Sequence, residues 1–476
     1  MTETCSADDP MAVERTIRNR SGQESFTYHV RDVINPFDGT RSNYNLLPVI
    51  LDKHSVPWEL GTLFILGRLE AESRPNMVTI KSLADDLGAF KEWLDSHDDP
   101  DALLISFPVM KLRRVTYRYR GSLKIKIEAG EIAVSTAKRR MGTVVAFYRW
   151  MIDEKFFEPT SSSWDEQTYS LGIKSSHGRL LRKTVQGTDL RFSTSTADDP
   201  FSGTIQDDGK LRPLPAAEQR WVMEAADALG NGEMYFLLLF MLATGARLQT
   251  AATLRLRHFT CPVTFSKALA SGGEVVKLRA GPGTGIDTKR DRLGVLQVPR
   301  PLYEALRTYA HSDRARRRRQ AAVGGDDENQ YLFLTQQGSP YYTAKEVSSR
   351  FDSEFSSRHQ KNGGTIRQFL KDRLIPYVQE KYSKSFHFRP HDLRATFGMN
   401  QTDLQMALVN AGVITLSRAR TNVMALMWHT SLGTTDKYLD YRKQMEIVYA
   451  AVNGYGENLQ GWIAGAMKGV DDRKHS

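Results

Sequence analysis

Cysteine is almost absent from this chain. Of 476 residues only Cys5 and Cys261 carry a thiol, too few and too unrelated in spacing for a disulfide framework or a zinc–thiolate cluster. A reducing compartment is the expectation. Long apolar runs are missing as well: no stretch approaches the roughly 20 apolar residues a membrane span needs, and the opening MTETCSADDPMAVERTIRNR has no apolar core of signal-peptide length. A cytoplasmic protein without a membrane partner is expected. Acidic residues are outnumbered, 55 Asp and Glu against 65 Lys and Arg, leaving a net charge of +10. That sign suits a polyanionic partner. No internal repeat is visible, and no Asp/Glu cluster of the kind that holds Mg²⁺ lies near the motifs below, so neither a metal nor a cofactor is expected.

What is present is enough apolar residue, 40% of the chain, for two or three domains. Residues 1–75 begin polar and end with Trp58, Leu60, Leu63, Phe64, Leu66 and Leu69 at helical spacing, and read as an accessory segment. Ile80, Leu83, Leu87, Phe90 and Leu94 predict one helix; Ser135 as N-cap, then Met141, Val144, Val145, Tyr148 and Ile152, predict another. They define a helical domain over 76–160. Between them KLRRVTYRYRGSLKIK (111–126) mixes basic residues with alternating Val, Tyr, Leu and Ile, and reads as a strand or hairpin. Residues 161–210, rich in Ser, Thr, Gly and Asp, read as a linker.

A second domain is expected over 211–450. Trp221 to Leu229 and Tyr235 to Leu242 read as helices, GGEVVKLRA and LGVLQVP as two strands, and most of the rest as helix. The run RARRRR (314–319) reads as an exposed helix end. A tail, 451–476, places Leu459, Trp462, Ile463 and Met467 at helical spacing, suited to packing on its own domain or on a neighbouring protomer. The fold class expected is mainly α with a small antiparallel β-sheet.

Four segments of the second domain bring cationic or proton-transferring groups to helix starts and turns. In ATGARLQT an apolar helix breaks at Thr244 and Gly245 and delivers Arg247, whose guanidinium can fork onto two phosphate oxygens. In GIDTKRDRLGVLQVP, Lys289 sits at the tip or exit of the hairpin, with Lys277 and Arg290 competing for its role. RPHDLRATF sets His391 and Arg394 three apart at a helix N-terminus, where the dipole also favours an anion. MWHTSLGTTDKYLDYR carries His429 in a turn and Tyr438 on the next helix, with Tyr441 on the same face. Taken singly, each has a bland reading: a surface arginine, a solvated lysine, a structural histidine, a packing tyrosine.

In content and order the four segments resemble the tyrosine recombinase, or phage integrase, family: TGAR (244–247), a hairpin lysine, HDLR (391–394), and a histidine nine residues before a tyrosine. YLFLTQQGSPYYTAKEVSSRF (331–351) is similar to the family's connecting strand and helix, and residues 76–160 to its DNA-binding core-binding domain. The resemblance implies a site-specific recombinase or integrase of a mobile element, acting on double-stranded DNA as a homo-oligomer, a tetramer, through a 3′-phosphotyrosine intermediate. It implies that Arg247 and Arg394 hold the scissile phosphate, His391 assists proton transfer, His429 bonds a non-bridging oxygen, Lys289 protonates the leaving 5′ oxygen and Tyr438 attacks. A type IB topoisomerase and a non-catalytic architectural DNA-binding protein are the rivals. One departure stands out: where the family carries an acidic residue three positions after its first arginine, this chain has Thr250, preceded by Gln249.

The chemistry is self-consistent. Attack on a phosphodiester builds charge on the phosphorane oxygens, which arginines and a histidine stabilise. A tyrosine of ordinary pKa near 10 is a poor nucleophile at neutral pH and needs a base and a cationic pocket.

Overall fold

Apolar residues at intervals of three and four make most of the chain helical, with small antiparallel sheets between the helices. The computed structural model describes residues 16–18, 24–34, 41–71, 77–174, 180–192, 203–260, 263–268, 273–345 and 361–446. They form two compact units, one from the described residues up to 192 together with Lys345, the other from 203–344 and 361–446. Among the described residues no helix is long and apolar enough to cross a membrane. The apolar spacing of the 451–476 tail lies outside the described residues.

In the first unit β1 (Thr16–Arg18), β2 (Glu24–Ile34) and β3 (Arg41–Ile50) make an antiparallel sheet. Five helices follow: α1 (Glu59–Glu70), α2 (Met77–Asp95), α3 (Pro100–Leu104), α4 (Val115–Glu128) and α5 (Val134–Asp153). Their core is aromatic, with Phe64, Phe90, Phe147 and Tyr148 wholly buried, and the Tyr148 hydroxyl is satisfied by the Leu104 carbonyl at 2.8 Å. Buried Asp86 on α2 ties that helix to α5, accepting from Arg139 at 2.7 Å and Thr143 at 3.1 Å. Burial raises its carboxyl pKa, and the Arg139 charge opposes the rise.

Two expectations are corrected here. The segment 111–126 is not a strand or hairpin but a short 3₁₀ turn, Lys111–Arg113, and then α4. Val115, Tyr119 and Leu123, spaced by four, are buried along with Thr116, so packing on one helical face overrides the β preference of its Val, Tyr and Ile. The stretch 161–210 is not structureless: β4 (Glu166–Lys174) and β5 (Leu180–Thr188) pair antiparallel over nine positions, and a tighter hairpin follows. Residues 1–75 likewise hold a sheet that their polar composition did not announce.

The second unit opens on that hairpin, β6 (Ile205–Gln206) and β7 (Lys210–Leu211). Next come α6 (Ala216–Ala228), α7 (Gly232–Thr244), α8 (Leu248–Ala252) and α9 (Arg257–Thr260). A three-stranded antiparallel sheet, β8 (Phe265–Lys267), β9 (Glu274–Ala280) and β10 (Gly294–Pro299), has β9 at its centre. Helices α10 (Arg300–His311), α11 (Asp313–Gln320), α12 (Gly364–Phe369), α13 (Ile375–Lys381), α14 (Asp392–Asn410) and α15 (Leu416–Leu426) follow, then α16, over 432–446. Apolar α7, capped by Asn231, lies in the centre of the core with Leu237, Leu238, Phe240 and Met241 fully buried. The arginine run of α11 is only partly solvent-facing. Arg314 and Arg318 reach the buried Glu233 at 2.7 and 3.0 Å.

Candidate active site

The turn that ends α7 places the first arginine. Gly245 takes the left-handed conformation at φ 68°, and a Cβ there would stand 2.4 Å from the Phe397 ring, so both backbone and space demand glycine. Arg247 leaves this turn half-buried. The same Gly245 carbonyl accepts a hydrogen bond from Arg394 Nη1 at 2.8 Å, which ties the two arginines to one peptide. Arg394, on the first turn of α14, is buried and also donates to the Met427 carbonyl.

Helix α14 starts two residues after Pro390 rather than at it. Pro390 and His391 form a turn and Asp392 is the first helical residue. Buried Asp392 accepts from the backbone of Arg389 at 2.8 Å and of Arg212 at 3.0 Å, which fixes the entry of the chain into the unit. His391 is half-buried beside the arginines. Burial first, then the charges of Arg247 and Arg394, lower its pKa to about 4. At neutral pH it is an uncharged imidazole.

Lys289 begins a short turn on the return side of the β9–β10 loop and is exposed. Arg290 lies beside it and lines the same cavity, whereas Lys277 sits on β9 opposite Gln297 and does not. Thr250 is buried, and it is Gln249 that reaches the lysine loop, donating to Asp287 at 3.0 Å. His429 follows α15 after Trp428, whose φ is 52°. The Trp428 indole donates to the Val295 carbonyl at 3.1 Å. Arg292 donates to the Trp428 carbonyl, so the edge of β10 fixes the turn that presents His429.

Tyr438, on α16, is buried against Phe397, Val423 and Met427. The fold separates it from Tyr441, which the sequence places on the same helix face: Tyr441 is half-buried and donates to the Gly203 carbonyl at 3.4 Å. The Tyr438 ring lies 5.7 Å from that of His429.

Five of the six sequence-derived candidates, Arg247, Lys289, Arg394, His429 and Tyr438, meet a pair of carboxylates, while His391 lies beside Arg247 at the wall of a neighbouring cavity. Asp207 and Asp208 occupy the turn between β6 and β7. Asp207 Oδ2 accepts from the Tyr438 hydroxyl at 2.9 Å and lies 3.3 Å from His429 Nε2 and 3.5 Å from Arg394 Nε. Asp208 accepts from Arg247 at 2.6 Å and pairs with Lys289 Nζ at 3.0 Å. Burial would raise the Asp207 carboxyl, but the His429 hydrogen bond and the Arg394 charge outweigh it and hold the group ionised far below its usual range. Tyr438 moves the other way: burial and then the Asp207 charge push its hydroxyl well above 10, against the pull of Arg394. No sequence pattern marks either aspartate as part of the site, nor Arg292, Trp428 or Lys437, whose ammonium donates to the Gln206 carbonyl at 3.0 Å.

The cavity at the carboxylates measures about 240 Å³ and is lined by Arg247, Lys289, Arg290, Arg292 and Lys437. A second of about 560 Å³ lies on another side of Arg247, with His391, Arg367, Lys371 and Arg389 at its wall. Such a concentration of guanidinium and ammonium groups around one hydroxyl is built for an anion. Among the described residues no group of three or more His, Cys, Asp or Glu could hold a metal ion.

No protein-family model matches the chain, and neither does any curated protein sequence. Solved structures of similar shape include the Tn1549 transposon integrase in complex with transposon right end DNA, 15% identical, covering 81% of this chain and 98% of that one at a TM-score of 0.42. Another is the XerH site-specific recombinase bound to difH substrate, 14% identical, covering 84% and 91% at a TM-score of 0.41. These likenesses are loose, and the functional reading rests on the residues of the site.

Proposed function

We propose that this chain is a tyrosine-type site-specific DNA recombinase or integrase that cuts and rejoins double-stranded DNA through a 3′-phosphotyrosine intermediate. The observation that carries the reading is the convergence of Arg247, Lys289, Arg394, His429 and Tyr438 on two adjacent anionic groups. An anion seated there lies between a phenol and an ammonium. For a phosphodiester, Tyr438 Oη forms the new bond to phosphorus as the bond from phosphorus to the 5′ oxygen breaks. The phenolic proton passes to the neutral His391, and Lys289 supplies a proton to the departing 5′ oxygen. Arg247, Arg394 and His429 balance the charge that grows on the non-bridging oxygens. One ester replaces another, so an incoming 5′ hydroxyl reverses the step without a nucleotide cofactor.

Exchange of strands between two duplexes calls for several copies of the chain on DNA, a tetramer. The helical domain of residues 76–160 is the second grip on the duplex, with Arg118 and Lys124 exposed on α4 and Lys138 and Arg139 on α5. The test is a nicked suicide duplex taken from DNA flanking the gene. Mass spectrometry should find a nucleotide on Tyr438, and Tyr438→Phe should bind DNA yet form no adduct. A nucleotide on Tyr441, or an adduct that persists in Tyr438→Phe, would overturn the assignment.

A further inference from the structure

The two aspartates raise a question the proposed chemistry does not answer. A site built to receive one phosphodiester, with one negative charge, already holds two carboxylates supplied by its own chain. They divide its groups between them: Asp207 takes Tyr438, His429 and Arg394, and Asp208 takes Arg247 and Lys289. We propose that the hairpin over 205–211 is an autoinhibitory plug, a phosphate mimic that closes the site until DNA displaces it. The inference rests on the reading of this site as a phosphodiester site.

Three features fit a plug rather than a working part. The hairpin is minimal, two residue pairs around a three-residue turn, with Asp208 at φ 57° and Gly209 at φ 140°. A ribbon of that size is at best marginally stable alone, so it is held by its contacts: Ile205 buried in the Tyr438 cluster, Gln206 on Lys437 and Gly203 on Tyr441 on the site's side, and the Lys210 carbonyl on Arg389 at its return strand. Second, the fit is incomplete. Arg247 Nε is buried with no hydrogen-bond partner, and Arg394 Nε stands 3.5 Å from Asp207 Oδ2 without a hydrogen bond to it, donors that planar carboxylates leave under-used and a tetrahedral phosphate with more oxygens can use. Third, the nucleophile is covered. The Tyr438 hydroxyl spends its proton on Asp207, and a second negative charge in the site repels the ester it must attack.

Expulsion of the plug exchanges two carboxylates for phosphate oxygens and frees Lys437 from the Gln206 carbonyl. DNA binding is then opposed by the closed form, and apparent affinity falls by the fraction of molecules that are open.

The experiment compares the full chain with three variants, using fluorescence anisotropy on a short duplex of arbitrary sequence, which requires no cleavage. Asp207→Asn with Asp208→Asn should bind about tenfold tighter or more. Gly209→Ala, which strains the turn but leaves every charge in place, should shift affinity in the same direction by less. Asp313→Asn with Glu304→Gln, the same charge change at exposed positions away from the cavity, should shift it far less than the hairpin pair does. Equal tightening in that control, or unchanged affinity in both hairpin variants, overturns the plug. So does an Asp207→Asn protein that binds no better and forms less adduct on the suicide duplex, which would make Asp207 part of the chemistry. If the hairpin variants bind tighter while no form of the protein yields adduct, the plug stands and the strand-cleavage reading fails.

Discussion

Gly398 and Tyr438 are in contact across the seam between α14 and α16: a Cβ on Gly398 would stand 2.4 Å from Cε1 of the tyrosine ring and 2.9 Å from its Cζ. The α14 backbone is thus the back wall of the nucleophile's slot. Gly398→Ala should push the ring outward at a cost of about 1–3 kcal/mol, the usual range for overpacking. The expected result is a lower melting temperature and a large loss of adduct formation with DNA binding retained. Wild-type melting and wild-type adduct rate in this variant would show that the slot does not position Tyr438.

Lys289 is the proposed donor to the leaving oxygen. Lys289→Ala should slow cleavage of an ordinary phosphodiester far more than cleavage of a duplex whose leaving group is a 5′ thiolate, which needs no proton. Rates measured on the two substrates decide the matter. Equal slowing moves the general acid elsewhere, and Arg290 and Lys437, which line the same cavity, come before the more distant Lys277.

Stability should fall with acid in a window set by two histidines. Burial first lowers both His258 and His391 from 6.5 to about 4. Between those values the unfolded chain binds protons that the folded chain refuses. Their contribution is therefore complete above pH 6.5 and lost as pH falls toward 4, at no more than about 1.4 kcal/mol per pH unit for each group. The contribution of Asp207 is intact throughout this window and is lost only below it, since its folded pKa lies under its ordinary 3.8. Melting temperatures of His391→Gln and His258→Gln from pH 7 to 4 should show a shallower slope than the parent. Parallel slopes would remove the two histidines from the account.

Glu233 is a purely structural test. It is fully buried on α7 and accepts from Tyr309 at 2.9 Å and from Arg314 through both oxygens at 2.7 Å. Glu233→Leu leaves the two cations of α11 facing an apolar group, and loss of one partner of a buried pair costs about 3–5 kcal/mol. Denaturant unfolding should report it, with adduct formation per folded molecule unchanged. A loss below about 1 kcal/mol would mean that the arginines swing to solvent without penalty.

The parts of the site that were legible in the sequence are those whose local grammar and role coincide. An apolar run broken by Thr244 and Gly245 marks where an arginine emerges, and Pro390 ahead of His391 and Arg394 marks a helix start. Two Val-rich runs around a polar loop mark the hairpin that carries Lys289. Legibility failed where a side chain's partner is distant. Asp207 and Asp208, in IQDDGKL, look like an ordinary turn, and nothing local tells that Asp207 meets a tyrosine 231 residues later. It failed also where packing overruled composition, as in α4, whose Tyr119 and Leu123 face a core that the Val-Tyr-Tyr alternation does not reveal.

The order in which the site is assembled along the chain sets what an incomplete copy can do. Arg247, Lys289, His391 and Arg394 all precede α16, and Tyr438 enters only when that helix packs on Phe397 and Met427. Domains fold as they are synthesised, from the N-terminal side. Under the proposed chemistry a nascent or truncated chain that stops short of α16 has a grip for a phosphate and nothing to cut it with. Premature termination then yields a DNA binder rather than a nuclease, and the genome that encodes the protein is spared strand breaks from its unfinished copies.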